Sequence, residues 1–159
     1  MKHGRPHPAI EGRRALRRQL SDRQIDAILI SLNHDELIDV YMGVAHDHFP
    51  ALPPVRKRDL FLEVLEYALR TRYILLKVHP EAVTWRYSLL PKEIRPNICF
   101  PKTPQELVEY YRLFWPNYED RNYEVMVMVL CEYGARIWWP TASGQPGPWF
   151  LGYPANASR

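Results

Sequence analysis

The stretch Tyr123-Glu124-Val125-Met126-Val127-Met128-Val129-Leu130-Cys131 decides the architecture, because so continuous an apolar run must sit either inside a sheet or along a helix. Its β-branched residues take every second place from Val125 to Val129, a spacing that suits a pleated surface. The run predicts a central strand, apolar on both faces. A buried helix is the competing reading, since period alone does not separate the two. Gly134 permits a tight connection, and Ala135-Arg136-Ile137-Trp138-Trp139 reads as the antiparallel partner.

Upstream, Tyr73-Ile74-Leu75-Leu76-Lys77-Val78 is a short apolar run closed by His79-Pro80, as a buried strand is. Val83-Thr84-Trp85-Arg86-Tyr87 alternates and reads as a second strand, paired to it through the turn at 79–82. Helical signals surround these. Ser21 with Gln24 makes a capping box ahead of Ile25, Ile28, Leu29 and Leu32 at helical spacing. The stripe resumes with Leu37, Ile38, Tyr41 and Met42, giving one kinked helix over about 22–45 or two abutting ones. A further helix begins near Val55 or Arg56 and buries Leu60, Phe61, Val64, Leu65, Ala68 and Leu69. Thr103-Pro104-Gln105-Glu106 opens another that runs to about Phe114. Residues 88–102, with three prolines, read as an ordered loop pinned by Ile98, Cys99 and Phe100.

The expected fold is α+β, three to four helices packed on a small antiparallel sheet. Residues 1–20 read as a basic flexible arm, 21–139 as a single α+β domain, and 140–159 as a Pro/Gly-rich tail anchored by Trp149, Phe150, Leu151 and Tyr153. A chain of 159 residues, 47% apolar and 13% aromatic, can bury about two-thirds of the surface its unfolded form exposes. Seven basic and two acidic side chains give residues 1–23 a net charge of +5 within a total of +3, so the remainder carries −2. No apolar leader and no membrane-length run occurs, which points to the cytoplasm.

Catalysis finds little to work with. Cys99 and Cys131 stand in apolar contexts and read as buried thiols. His34, His46 and His48, with Asp35 and Asp47 beside them, invite comparison with metal-dependent phosphohydrolases, but the chain lacks the further ligands such a centre needs. Nucleophile-elbow and phosphate-cradling motifs are missing too. The expectation is no enzyme, no metal and no cofactor.

Binding is the better prospect. Arg13, Arg14, Arg17 and Arg18 cluster as a contact for nucleic acid or an acidic partner. Asp35, Glu36 and Asp39, and again Glu119 and Asp120, offer acidic groups to a basic protein. Strand alternation would turn Trp138 and Trp139 to opposite faces, so that one is an interface anchor unless the tail folds back over it.

Four phrases carry a resemblance: Lys57-Arg58-Asp59-Leu60-Phe61-Leu62-Glu63-Val64-Leu65, the strand Tyr73 to Lys77, Tyr110-Tyr111-Arg112-Leu113-Phe114-Trp115-Pro116, and Ala135-Arg136-Ile137-Trp138-Trp139. In this order, over about residues 22–139, the chain resembles small bacterial proteins associated with polymorphic or contact-dependent toxins and thought to act as immunity proteins. The resemblance implies a non-enzymatic protein-binding module that neutralises a toxin domain, and it assigns no residue a role. The alternative is a nucleic-acid-associated accessory protein that works through the arginine arm.

Overall fold

The computed structural model describes residues 18–32, 36–95 and 97–139. In chain order they form α1 (Asp22–Ser31), α2 (Leu37–Met42), a π-helical turn (Gly43–His48), α3 (Pro54–Arg70), β1 (Leu75–Val78), α4 (Pro80–Ser88), α5 (Pro104–Leu113), α6 (Tyr123–Glu132) and β2 (Ala135–Trp138). The class is α+β, and the sheet is small and antiparallel, but six α-helices rather than three to four accompany its two strands among the described residues.

Helix α3 is the spine. Pro53-Pro54 starts it, since proline at the first helical position gives up only an amide that the helix would leave unbonded. Phe61, Leu62, Val64, Leu65 and Ala68 are fully buried, and α1, α2, the π-helical turn and α5 all pack against it. It stops at a left-handed Arg72 (φ 59°), where Tyr73 N–H reaches the Ala68 carbonyl at 2.9 Å and Arg72 N–H the Leu69 carbonyl at 3.2 Å. That geometry satisfies the last carbonyls of the helix and sends the chain into β1. Tyr41, Phe61 and Trp115 meet in one aromatic cluster, with ring centroids 5.5 to 5.6 Å apart.

Both capping boxes form as the sequence predicts. Ser21 accepts from Gln24 N–H, Thr103 accepts from Glu106 N–H, and each partner side chain reaches back to its cap's backbone. Ile25, Ile28, Leu29 and Leu32 are all buried. Two helices, not one kinked helix, occupy 22–42. The fold also takes in residues before 21: Leu20 is buried, and the Gln19 and Leu20 amides donate to the buried Glu63 carboxylate at 2.8 and 2.6 Å.

Three expectations are overturned. The run Tyr123 to Cys131 is a helix, because Tyr123, Val127, Leu130 and Cys131 recur at i, i+4, i+7 and i+8 and form its buried face. An Asp120–Asn122 turn starts it. Its supposed partner, Ala135 to Trp138, pairs instead with β1, in the register Leu75 to Trp138 and Val78 to Ala135. Val83 to Tyr87 belongs to α4, since His79 caps that helix by accepting from Glu81 N–H and Pro80 fills its first position.

The loop after α4 is held by backbone rather than by apolar pins. Ile98, Cys99 and Phe100 are exposed, so Cys99 is not a buried thiol. Arg95 donates to the carbonyls of Ser88 and Leu90 at 2.9 and 2.8 Å. The Cys99 backbone also bonds the Tyr87 hydroxyl.

Candidate functional site

The site is built from α4, the end of α5 and α6. Helix α4 turns Ala82, Val83, Arg86 and Tyr87 inward and leaves Trp85 and Leu89 outside. Gly134 sets α6 against it. That residue is left-handed (φ 73°), and a Cβ there would lie 2.5 Å from the Ala82 Cβ. Its carbonyl accepts from His79 N–H at 2.6 Å, tying the α6–β2 turn to the start of α4. Glycine is required by the conformation and by the close approach.

Arg86 is 4% exposed and pairs with no carboxylate among the described residues. Its charge is met by the C-terminus of α6. Nη1 donates to the Tyr110 hydroxyl at 2.6 Å and the Tyr133 carbonyl at 3.4 Å, while Nη2 reaches the Val129 carbonyl at 3.3 Å. The Val129 carbonyl also accepts from Tyr133 N–H at 2.9 Å, and the carbonyls at this end carry the negative end of the helix. Three rings add to this, with Cζ 5.8 Å from the centroid of Trp85 and 5.7 Å from those of Tyr110 and Tyr133.

Above this floor lies a groove of about 240 Å³. Trp85 and Leu89 form one wall, and Val125, Met126 and Val129 of α6 the other. Phe114 and Pro116 also line it, and the buried Leu130 and Arg86 form the bottom. The walls face solvent: Leu89 is 64% exposed and Val125 60%, and Met128 continues the open apolar surface of α6. A helix apolar on every side is normally enclosed; among the described residues this one is packed on the face of Tyr123, Val127, Leu130 and Cys131.

Protonation in this region suits packing rather than chemistry. Burial pushes the Cys131 thiol up to about 12 against the lowering effect of Arg86. Burial likewise raises Tyr110, opposed by Arg86, and raises Tyr111 well above the phenol range. A thiol of that kind is protonated at neutral pH and is a poor nucleophile.

Elsewhere, His48 Nε2 lies 2.7 Å from Ser31 Oγ, the spacing of a nucleophile and its base. The Ser31 hydroxyl, however, donates to the Ile28 carbonyl at 2.7 Å. The single hydroxyl proton is thereby used, so the imidazole is the donor to Oγ. His46 lies 3.8 Å from Glu124, which joins the π-helical turn to the first turn of α6. His34 is outside the described residues, and among those described no three His, Cys, Asp or Glu side chains gather around a common metal position.

The acidic residues are divided between two helix starts. Glu36 N–H donates to Asp39 Oδ2 at 2.9 Å, ahead of α2. Asp120 Oδ1 accepts from Asn122 N–H at 2.8 Å, ahead of α6, with exposed Glu119 beside it. Carboxylates there offset the helix dipole. Asp35 falls outside the described residues, as do Arg13, Arg14 and Arg17. Arg18 is engaged within the fold, 2.5 Å from Asp22 and over the Tyr67 ring at 5.4 Å. Trp139 is buried edge-on against Tyr73 and belongs to the core, whereas Trp138 is half-buried opposite Leu75.

Trp85 and Arg86 are hidden by the strand reading of 83–87, and Leu89 by the loop reading of 88–102. The local signal for the helix was His79-Pro80-Glu81: a capping side chain, a proline at the first position and an acid in the first turn. No family model, curated protein or solved structure matches the chain. Among the described residues no helix is long and apolar enough to cross a membrane.

Proposed function

We propose that the chain is a non-enzymatic protein-binding module that seats an apolar segment of its partner in the groove between α4 and α6. The observation that carries this is the outer face of α6. Val125, Met126 and Val129 are exposed beside Trp85 and Leu89, and contiguous apolar surface of this kind marks interaction sites where scattered single residues do not. Trp85, in the wall of the groove, is the kind of aromatic anchor that such interfaces favour.

A binding role is also supported by what Cys131 and Ser31 lack, a thiolate and a free hydroxyl proton. Toxin neutralisation is the role that the sequence resemblance favours, and it requires only a stable scaffold and one complementary surface. The groove, rather than the two separated acidic helix starts, is then the surface that meets the toxin.

Two charge substitutions on opposite walls test this. Val125→Glu lies in the first turn of α6 and Leu89→Lys at the end of α4, so each new charge agrees with its helix dipole. Tagged wild-type chain is expected to retain one stoichiometric protein from its native extract after nuclease and a salt wash. Each variant should lose it by tenfold or more, while Glu119→Gln with Asp120→Asn should keep it. Co-expression should then suppress the toxicity of that partner. Equal capture by the groove variants and loss in the acidic ones would overturn the reading.

A further inference from the structure

The chain carries its own candidate occupant for the groove. Residues 140–159 follow directly on Trp139, include four prolines, and hold the block Trp149-Phe150-Leu151 with Tyr153 close behind. They contain no acidic residue and no basic one before Arg159. An uncharged aromatic block of this kind matches a groove whose walls are Trp85, Leu89, Val125, Met126 and Val129. Arg86 at its floor already lies against three rings, and a fourth ring would meet the same cation.

The reach is sufficient. From Val129 to Glu132 the chain rises about 1.5 Å per residue, then takes two steps of at most about 3.8 Å to Gly134 and about 3.3 Å per residue along β2. Trp139 therefore lies within about 30 Å of the groove. The ten residues from Trp139 to Trp149 span up to about 33 Å.

We propose that the Trp149-Phe150-Leu151 block docks in the α4–α6 groove of its own chain, so that a partner must displace it. This rests on the groove being the docking face and makes that face self-covered. Linkage within one chain supplies an effective concentration in the millimolar range for short connections, enough to hold a contact too weak to persist between separate molecules. Where the block fills the groove nine-tenths of the time, a partner binds about tenfold more weakly than its intrinsic affinity.

Methionine methyl NMR on the full chain reads this directly. Met126 lines the groove while Met42 does not, and Met126→Leu assigns the signal. The comparison is wild type against Trp149→Ala/Phe150→Ala/Leu151→Ala, whose changes lie outside the described fold. The expected result is ring-proton contacts to the Met126 methyl in wild type, a Met126 shift change in the triple variant at constant Met42 shift, and no dependence on protein concentration. An identical Met126 signal in both chains would overturn the proposal. So would a difference that appears only as concentration rises, which would assign the groove to a second copy.

Partner capture separates the two readings. A Met126 effect with no captured partner leaves the self-docking standing and removes the binding function, whereas groove-dependent capture with no Met126 effect does the reverse. With both intact, the triple variant should bind the partner about tenfold more tightly.

Discussion

Glu63 and Arg86 are the two buried charged side chains of the described fold, and both are satisfied chiefly by peptide groups rather than by an opposite charge. Glu63, in the middle of α3, accepts from two amides and thereby fastens residues 19 and 20 ahead of α1. Arg86 donates to the carbonyls that end α6 and so fastens α4 to it. The contrast lies in what each makes possible. Glu63 closes the core over a strap of chain, while Arg86 fixes two helices side by side and leaves a groove open above them. A buried ion held by backbone dipoles can therefore end a surface or create one, depending on which elements contribute the dipoles.

Of these two buried charges, Arg86 should have the larger effect when it is removed. Arg86→Ala takes a donor from the Tyr110 hydroxyl and from several carbonyls at once and leaves a void under Trp85, which should cost on the order of 3 kcal/mol in urea unfolding. Arg86→Lys keeps the charge without the planar fork and should cost about half as much. A loss below about 1 kcal/mol for the alanine variant would show that the α6 carbonyls find other donors.

Alkaline pH probes the same side. Cys131, Tyr110 and Tyr111 hold their protons in the folded chain above the pH at which the unfolded chain releases them. Their contribution to stability is thus present below about pH 9 and is lost as pH rises above it. The urea midpoint should fall steadily between about pH 9 and 11. Cys131→Ala should remove the earliest part of the fall, leaving the part that begins near the ordinary tyrosine value of about 10. A flat midpoint over this range would contradict the burial assigned to these groups.

Glu63→Ala should cost less than the loss of Arg86, about 1 to 2 kcal/mol, because the Gln19 amide can turn to water once released. Glu63→Gln retains an acceptor oxygen and should cost less again. Hydrogen exchange at Gln19 and Leu20 should rise in both variants while exchange within α6 stays unchanged. Faster exchange across α6 would break the separation between the two anchors.

Helix starts were the most legible part of the fold because capping is local: Ser21 and Gln24, or Thr103 and Glu106, are complete signals within four residues. The strand at 75–78 was legible from its own apolar run, but its partner was not. Pairing depends on where α6 ends and returns, and an apolar run with alternating β-branched residues is compatible with two periods. The groove was the least legible feature. No acidic partner reveals the role of Arg86, since among the described residues it donates to the Tyr110 hydroxyl and to carbonyls contributed by residues 43 to 47 positions away. Side-chain type says nothing of which main-chain groups a fold will bring to it.

The smallest expected change in stability falls on α6 itself, where adjacent turns separate core from site. Val127 is fully buried and Val125 is 60% exposed, two residues apart on one helix. Had the segment been a strand apolar on both faces, the two would share one face and respond alike. On the helix they diverge. Val127→Glu places a charge on the buried face that Val127 shares with Tyr123, Leu130 and Cys131 and should prevent folding. Val125→Glu should alter stability by no more than about 0.5 kcal/mol, as surface changes do, while removing partner capture. Comparable destabilisation by the two would return residues 123–131 to a buried strand, and with it would go the open wall of the groove.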